Sequence, residues 1–301
     1  MLRGLDGRVN SRPATVRARR SGEPARSMAT MTVIAAAAVQ LDLAREDPTG
    51  NLERALKGLE EAASRGVRLA VLPEMWPTSF EPSAGEEALE WSSRAIEAVA
   101  EASRRLGLVV CGSAYGRGPT PAGLPFNRAH VIDRGEVVAS HDKVHLFSPT
   151  AEALAFTAGE LPPPVVETSI GRVAPLICYD LRFPELVRAA FRGGAEILAV
   201  SAQWPATRAS HWRGLAVGRA VEGQWYVVAA NRTGRDVVGR KGLELDFPGN
   251  SLLVSPHGEV LAEGGAEDLF VSADLDLEVV SRMRRAVPVQ RDERRDLYGS
   301  W

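Results

Sequence analysis

The chain has 301 residues, of which 45% are hydrophobic and 25% are charged, and its formal net charge at pH 7 is -2. This length and composition suit one large domain with a substantial core, and they exclude a fibrous or wholly disordered chain. The near-neutral charge argues against nucleic-acid and membrane-surface partners, and no apolar run in the sequence approaches the length of a membrane span. Small neutral or acidic molecules are therefore the expected ligands.

The first 31 residues differ in composition from the rest of the chain. They contain seven arginines and two acidic residues, with glycine, serine and proline throughout. A segment of this composition without hydrophobic periodicity is expected to be disordered. An arginine-rich leader can also be a transit peptide, and Met28 or Met31 is an alternative first residue. We predict a disordered extension over residues 1–31 and a folded domain over residues 32–301.

Strands and helices alternate in the first part of the domain. A continuous apolar run over residues 33–40 predicts a strand covered on both faces. Asp47 followed by Pro48 predicts the start of a helix, whose apolar stripe ends near Gly66. The next predicted elements are a strand, a helix and a strand, over residues 69–72, 86–106 and 108–111. This β-α-β-α-β order predicts parallel strands joined by helical crossovers.

The rest of the chain combines hairpins with further crossovers. Residues 129–132 and 137–143 flank one glycine-containing turn and residues 165–168 and 173–177 flank another, so both pairs are predicted to be antiparallel hairpins. The remaining predicted elements are helices over residues 184–192 and 211–222 and strands over residues 197–200, 225–230, 251–254, 260–262 and 269–273. The two halves have similar layouts, which predicts an α/β sandwich of two mixed sheets with the helices outside.

Three of the predicted strands end in residues that can carry out covalent chemistry. Cys178 follows a buried apolar run, Glu74 follows another, and Lys143 ends a third. In α/β sheets the loops that leave the carboxyl ends of the strands form the ligand-binding crevice. A thiol becomes a nucleophile only when a neighbouring group takes its proton, and Glu74 is a candidate for that role. The other cysteine, Cys111, lies inside a strand pattern and is predicted to be buried and structural; two cysteines cannot form a disulfide framework, which favours a reducing, cytoplasmic location.

The residues around these positions resemble a known family. Segments 72–75 (LPEM), 141–147 (HDKVHLF) and 177–185 (ICYDLRFPE) are similar, in this order, to the Glu-Lys-Cys motifs of the nitrilase superfamily of carbon-nitrogen hydrolases. The resemblance extends from about Thr32 to the end of the chain. It implies an α-β-β-α sandwich and hydrolysis through a cysteine thioester, without a cofactor or a metal ion.

The resemblance also implies a role for each residue of the predicted site. Cys178 attacks an amide or nitrile carbon, Glu74 takes the thiol proton and later activates water, and Lys143 stabilises the oxyanion. The backbone N–H of Tyr179 follows the nucleophile and is the expected second oxyanion donor. Glu152 is similar to a second glutamate in many of these enzymes, which orients the lysine and contacts the substrate; the alternative is a solvated helix glutamate.

Segments 178–185, 204–208 (WPATR) and 231–234 (NRTG) resemble most closely the omega-amidase-like branch, which hydrolyses the terminal amide of 2-oxo acid amides such as 2-oxoglutaramate. Aliphatic nitrilases and N-carbamoyl amino acid amidohydrolases are the alternatives within the superfamily. A non-catalytic scaffold is the alternative from another class, but such a member is expected to lack one of the three catalytic residues, and all three are present.

Three residues are predicted to bind the substrate. Trp204 and Thr207 lie in the segment that resembles the substrate-side loop of the family. Arg182, four residues after the nucleophile, either binds a substrate carboxylate or braces its own loop through Asp180 or Glu185. Arg208 is the next candidate for the carboxylate.

The histidines offer two competing interpretations. Residues 141 and 145 would face the same side of a strand but lie too far apart to share one metal ion easily, so no metal site is predicted. A Cys-His hydrolase would need a histidine base, for which the candidates are His130, His141, His145, His211 and His257. None of these five lies in a motif that matches such a family.

The segment from residue 287 to 301 is too polar to bury itself. It is expected either to fray as a terminus or, as the resemblance implies, to pack onto a partner subunit in a homodimer or a higher homo-oligomer.

Overall fold

Two six-stranded sheets form the centre of the protein in the computed structural model, which describes residues 33–80, 85–120, 123–238, 242–267 and 269–298. The strands in chain order are β1 (Val33–Val39), β2 (Val67–Val71), β3 (Val109–Gly116), β4 (Phe126–Asp133), β5 (Glu136–Asp142), β6 (Val166–Thr168), β7 (Gly171–Ile177), β8 (Ile197–Ala202), β9 (Tyr226–Asn231), β10 (Thr233–Val238), β11 (Leu243–Pro248), β12 (Leu252–Val254), β13 (Val260–Glu263) and β14 (Phe270–Asp276). The predicted extension over residues 1–31 lies outside the described residues.

The helices lie between these strands and at the end of the chain. They are α1 (Pro48–Ser64), α2 (Gly85–Leu106), α3 (Pro184–Arg192), α4 (Ala209–Gly223), α5 (Leu277–Ala286), α6 (Val289–Asp292) and α7 (Arg295–Tyr298). Short 3-10 turns occupy Ser148–Thr150, Glu152–Leu154, Cys178–Arg182 and Ala206–Arg208. None of the helices in the described segments is long and apolar enough to cross a membrane.

The two large sheets share one pattern of pairing. The first has the order β14-β1-β2-β3-β4-β5, and the second has the order β13-β12-β9-β8-β7-β6. In each sheet three central strands are parallel, β1-β2-β3 in the first and β9-β8-β7 in the second. Every other pairing in the two sheets is antiparallel. The mixed sheets predicted from the alternation of crossovers and hairpins are therefore confirmed.

Packing of the sheets explains why β1 is apolar on both faces. Ala36 and Ala38 lie in the core between the two sheets, together with Val228 of the second sheet. Ala37 and Val39 point the other way, into the core that the first sheet makes with α1 and α2. A strand with alternating faces can be apolar throughout only when both faces are covered. On the far side, α3 and α4 cover the second sheet, which completes the predicted α-β-β-α sandwich.

The start of α1 follows the capping signals of the sequence. Asp47 accepts a hydrogen bond from the backbone N–H of Gly50 at 2.9 Å, and Pro48 occupies the first position of α1, as predicted. The N-cap of α5 was not predicted, although Asp276 accepts a hydrogen bond from the N–H of Glu278 at 3.0 Å. The short apolar stripe of this helix, with only Leu277 and Val280 buried, accounts for the omission.

One hairpin was also absent from the predictions. Strands β10 and β11 pair with each other in a separate two-stranded sheet. Most of their residues are exposed or half-buried, with only a few side chains turned inward. A strand pair of this kind has too little apolar alternation to stand out in the sequence. The hairpin is nevertheless important because it forms one wall of the cavity described below.

The C-terminal segment packs on α3 of its own chain. Gln290 donates a hydrogen bond to the carbonyl of Arg192 at 2.9 Å, and Glu293 pairs with the guanidinium of Arg192 at 2.9 Å. Its described part is thus docked rather than frayed. Packing of this segment on a partner subunit stays a prediction.

Candidate active site

The three residues predicted to carry the chemistry meet at one edge of the sandwich. Glu74 follows β2, Lys143 follows β5 directly and Cys178 follows β7 directly. Strand β5 runs in the same direction as β2, since each is related to β3 by an even number of antiparallel pairings. The carboxyl ends of the two strands therefore face the same way, toward the turn that begins at Cys178.

Lys143 lies between two carboxylates. Its Nζ is 2.8 Å from Oε1 of Glu74, and it is 3.0 and 2.8 Å from the two carboxylate oxygens of Glu152. The side chains of Lys143 and Glu74 are each 1% exposed, so water screens these charges little. Burial opposes the charge on Lys143, but the two carboxylates outweigh burial and raise the pKa of the ammonium above its ordinary value. The lysine is thus held in its charged form.

Glu152 is part of this buried cluster and not a solvated surface residue. Its side chain is 3% exposed, and it accepts a hydrogen bond from the backbone N–H of Phe147 at 2.6 Å in addition to those from Lys143. The 3-10 turn that begins at Glu152 follows Ala151, which has a positive φ of 55°. The turn directs the carboxylate inward, toward the ammonium.

Glu74 has an environment that suits a base near neutral pH. Burial raises the pKa of its carboxyl, and the nearby charge of Glu152 raises the pKa further, while Lys143 lowers it. Asn127 donates to Oε1 at 2.8 Å, and the backbone N–H of Gln203 donates to Oε2 at 3.0 Å. These bonds fix the carboxylate while its pKa remains above the ordinary value, as a general base requires.

Cys178 occupies a strained position at the start of its turn. Its φ is 43°, in the left-handed region that residues other than glycine seldom adopt. Its Sγ lies 3.9 Å from the backbone carbonyl oxygen of Gln203 and against the carboxylate of Glu74. Burial, followed by the charge of Glu74, raises the thiol pKa well above its ordinary value. The resting residue is therefore a thiol that needs a base, and Glu74 is beside it.

Cys111 provides the contrast within the same chain. It lies in the middle of β3, where it is 1% exposed, and burial raises the pKa of its thiol to about 12. A buried thiol with no partner in an apolar core is chemically inert. The predicted distinction between a structural and a reactive cysteine agrees with these two environments.

A cavity of about 520 Å³ opens over the Cys178 thiol. Its inner end contains Glu74, Lys143 and Glu152. Its walls carry aromatic side chains and two arginines: Phe80, Phe147, Phe156, Tyr179, Trp204, Phe247, Arg182 and Arg208. The unpredicted hairpin β10–β11 contributes Val238, Leu245 and Phe247 to this lining. The size suits a small molecule, with apolar walls and a few polar groups that orient it.

The sequence profile of the carbon-nitrogen hydrolase family matches residues 35–285. The chain belongs to this family. It is 33% identical over 263 residues to a protein of Bacillus subtilis named 2-oxoglutaramate amidase, and the match covers 86% of this chain and 97% of that protein. The resemblance to the nitrilase superfamily is thus confirmed.

Solved structures agree with this membership. A carbon-nitrogen hydrolase from Helicobacter pylori superposes with a TM-score of 0.81 at 25% identity, over 89% of this chain and 97% of that one. An amidase from Nesterenkonia superposes with a TM-score of 0.73 at 31% identity, over 86% of this chain and 96% of that one. The latter structure is a Glu to Gln variant with the acetamide moiety of fluoroacetamide added covalently at its active-site cysteine.

In this hydrolase the predicted substrate-binding residues have different positions. Trp204 is buried and lines the cavity, where its ring lies 4.7 Å below the guanidinium carbon of Arg182. Arg182 is half-buried, and its Nη2 is 3.3 Å from Nδ1 of His211. Thr207 is exposed and is absent from the cavity lining, while its neighbours Pro205 and Arg208 are part of it.

Asp180, one of the two residues considered as a brace for Arg182, makes other contacts. Asp180 is fully buried and faces His141 and His145. It accepts hydrogen bonds from the backbone N–H and from Nδ1 of His145, each at 2.8 Å. Burial alone would raise the pKa of Asp180, but the two facing histidines, His141 and His145, lower it below its ordinary value. Asp180 therefore ties the loop after Lys143 to the turn that begins at Cys178.

The positions of the histidines are relevant to the alternative of a Cys-His hydrolase, in which a histidine would be the base. His141 and His145 face Asp180, and His130 lies 3.1 Å from Ser140 with a pKa lowered to about 4, mainly by burial. The titratable group against the thiol is the carboxylate of Glu74. Among the described residues no cluster of three or more histidine, cysteine and acidic side chains is arranged to hold a metal ion.

Two residues that hold Glu74 were missed in the sequence. Asn127 lies at the start of β4, in a strand with no feature that marks it. Gln203 immediately follows β8, and the same rule that selected Glu74, Lys143 and Cys178 at strand ends would have selected it.

Proposed function

We propose that this hydrolase cleaves the terminal amide of a small carboxylated amide, such as 2-oxoglutaramate, through a thioester on Cys178. The observation that carries the proposal is the protonated thiol of Cys178 beside Glu74, a buried carboxylate of raised pKa held by Lys143. The names of the relatives support it. One is called 2-oxoglutaramate amidase, and the active-site cysteine of another carries a covalent acetamide group.

The first half of the proposed reaction forms the thioester. Glu74 accepts the thiol proton as Sγ of Cys178 attacks the amide carbon. The negative charge that develops on the carbonyl oxygen is stabilised by the ammonium of Lys143 and by the backbone N–H of Tyr179. Glu74 then gives its proton to the departing nitrogen, the C–N bond breaks, and ammonia leaves.

The second half releases the acid. Glu74, now ionised again, takes a proton from water, and the resulting hydroxide attacks the thioester carbon. The C–S bond breaks, and the thiolate regains the proton from Glu74. The balance is one amide and one water consumed, with one carboxylic acid and one ammonia formed. A single carboxylate can serve both halves because its raised pKa makes it a stronger base, while its acid form can still donate a proton.

The outer part of the cavity supports the proposed substrate class. Arg182 stacks on Trp204 and forms no ion pair with Asp180 or Glu185 among the described residues. Its planar guanidinium is thus free to bind a carboxylate at the far end of a short acyl chain, in a bidentate manner. Arg208 lies at the same wall and is the second candidate for this contact.

Ammonia release from a panel of compounds tests the proposal. The panel contains 2-oxoglutaramate, a neutral amide of similar length, an aliphatic nitrile and an N-carbamoyl amino acid. We expect the highest kcat/KM for the acidic amide and no release by the Cys178→Ala variant. Turnover confined to the nitrile or the carbamoyl compound would assign the chain to another branch of the superfamily, and a folded wild type inactive on the whole panel would favour a scaffold.

A further inference from the structure

A completely buried arginine lies behind the catalytic cluster and has no part in the steps above. Arg232 follows β9 directly, and its side chain is 0% exposed. Its guanidinium donates to five groups on four segments of the chain: Thr233 O at 3.2 Å, Ser79 Oγ at 3.1 Å, Gln203 Oε1 at 3.1 Å, Asp236 Oδ2 at 2.9 Å and Leu43 O at 2.6 Å. All three nitrogens of the guanidinium therefore donate hydrogen bonds.

Gln203 connects this arginine to the reacting groups. Its side-chain oxygen accepts from Arg232, and its Nε2 donates to the backbone carbonyl of Glu74 at 2.9 Å. Its backbone N–H donates to Oε2 of Glu74 at 3.0 Å, and its backbone carbonyl lies 3.9 Å from Sγ of Cys178. The backbone of this one residue therefore touches both the base and the nucleophile. Its side chain is held in one orientation by Arg232 and by the main chain of Glu74.

Burial of an arginine side chain is energetically unfavourable. Removing a guanidinium from water carries a large desolvation penalty, which an apolar side chain of similar volume would avoid. Arg232 supplies hydrogen-bond donors, which an apolar side chain lacks. These donors fix the Gln203 amide and the side chains of Ser79 and Asp236. Hydrogen bonds to a rigid donor fork restrict the positions of all the groups that share it.

We propose that Arg232 is a positioning residue for the hydrolytic reaction, which acts through Gln203 to hold the carboxylate of Glu74 against the thiol of Cys178. The inference rests on the proposed function of the site, and it gives a role to two residues, Gln203 and Arg232, to which the sequence analysis assigned none. Arg232 also lies over the ring of Phe247, 4.6 Å from its centroid, and pairs with Asp236 of the hairpin β10–β11. The same side chain thus supports a wall of the substrate cavity.

The pH profile distinguishes positioning from mere support of the fold. The titratable groups that face Glu74 are Lys143, Glu152 and Cys178, and its neutral donors are Asn127 and Gln203. A donor to the charged carboxylate lowers its pKa, so a loosened Gln203 N–H should raise that pKa and move the acidic limb of kcat/KM to higher pH. A purely structural defect would lower the amount of active enzyme without moving that limb.

The test is a double-mutant cycle of Arg232→Met and Gln203→Met in the full chain. Each single variant should lower kcat about tenfold or more with KM changed less than about threefold, because a misplaced base reduces the rate of proton transfer more than binding. If Arg232 acts through Gln203, the double variant should be no slower than the slower single variant. Arg235→Met is the matched control, since Arg235 pairs with Asp246 on the same hairpin but is 69% exposed.

A second measurement keeps the inference separate from the proposed function. The rate of Cys178 alkylation by iodoacetamide, followed by intact mass, reports proton transfer from the thiol and needs no substrate. It should fall about tenfold or more in both single variants and stay at the wild-type value in Arg235→Met. If wild type releases no ammonia from any amide, the proposed function fails while the alkylation comparison still decides the role of Arg232.

Three outcomes would overturn the inference. The losses of kcat in the two single variants could add up in the double variant, kcat could fall while the acidic limb of the kcat/KM pH profile stays at the wild-type pH, or folded variants could be alkylated at the wild-type rate. Circular dichroism and thermal unfolding establish that each variant is folded. Gln203→Met removes no charge and carries the test alone if Arg232→Met does not fold.

Discussion

The inner and outer parts of the cavity hold their side chains in different ways. In the inner part the carboxylate oxygens of Glu74 and Glu152 are all hydrogen-bonded, and the ammonium of Lys143 lies between them out of water. In the outer part Arg182 is held by stacking on Trp204 and by one contact to His211. Rigid charges stabilise a transition state because they need no reorganisation. Residues of the outer wall are held by fewer contacts, so substitutions there can alter substrate specificity without moving the reacting groups.

Removal of the nucleophile should have the largest effect on activity. We expect Cys178→Ala to reduce ammonia release to the background, because among the described residues that line the cavity Cys178 has the only thiol. Intact mass after treatment of wild type with an alkylating agent should place the adduct on Cys178. Cys111→Ala is the matched control, and it should retain wild-type turnover, since burial raises the pKa of that thiol to about 12. An adduct on Cys111 accompanied by loss of activity would refute the assignment.

The next largest effects are expected when single charges are removed from the inner part of the cavity. Lys143→Met leaves Glu74 and Glu152 buried beside each other without a cation, which should lower the free energy of unfolding by about 3 to 5 kcal/mol and abolish turnover. Glu74→Gln keeps the Lys143–Glu152 pair, so it should abolish turnover with a smaller loss of stability. Urea unfolding and ammonia release measure the two effects. Equal stability losses, or wild-type rates in either folded variant, would contradict the proposed cluster.

These two parts also differ in how far they could be predicted from the sequence. Glu74 and Cys178 follow apolar runs and Lys143 follows a strand of a predicted hairpin, so the sequence indicates both the strand and the sheet edge at which each residue lies. The mixed sheets followed from the same patterns. The wall formed by β10 and β11 was missed because these strands bury few side chains.

Long-range contacts account for the rest of what the sequence did not show. The bond between Arg232 and Gln203 joins residues 29 positions apart, and the bond between Gln203 and Glu74 spans 129 positions. No local pattern records such contacts. The first forms only when β8 and β9 pair, and the second forms only when the two sheets pack together. The partner of Arg182 was uncertain for the same reason, since the neighbouring Asp180 turned out to bind His145 instead.

Asp180 links the inner part to the turn of the nucleophile, and its removal should have an intermediate effect. Its pKa is lowered, so the stability that it contributes is present above the unfolded pKa of about 3.9 and is lost as pH falls through the folded value. We expect Asp180→Asn to lower the free energy of unfolding by about 1.5 to 3 kcal/mol at pH 7, because its buried carboxylate accepts from His145. The difference in the free energy of unfolding between the variant and wild type should become smaller below about pH 4.

Urea unfolding at both pH values checks this expectation. Asp142→Asn is the matched control, since Asp142 accepts from Arg128 at 2.6 Å but is 25% exposed and should contribute less. A difference from wild type that stays constant down to pH 3 would show that the charge of Asp180 is not what stabilises the turn.

The smallest expected effect lies in the outer part, and it is selective rather than general. Arg182→Lys keeps the positive charge but loses the planar fork that can bind a carboxylate through two hydrogen bonds. We expect kcat/KM for 2-oxoglutaramate to fall about tenfold, which corresponds to about 1.4 kcal/mol, while a neutral amide of similar length changes little. Arg208→Lys, measured on the same two substrates, separates the two arginines of the cavity wall. If both substrates lose activity equally in Arg182→Lys, this arginine supports the aromatic wall through Trp204, and a selective loss in Arg208→Lys would then assign the carboxylate to Arg208.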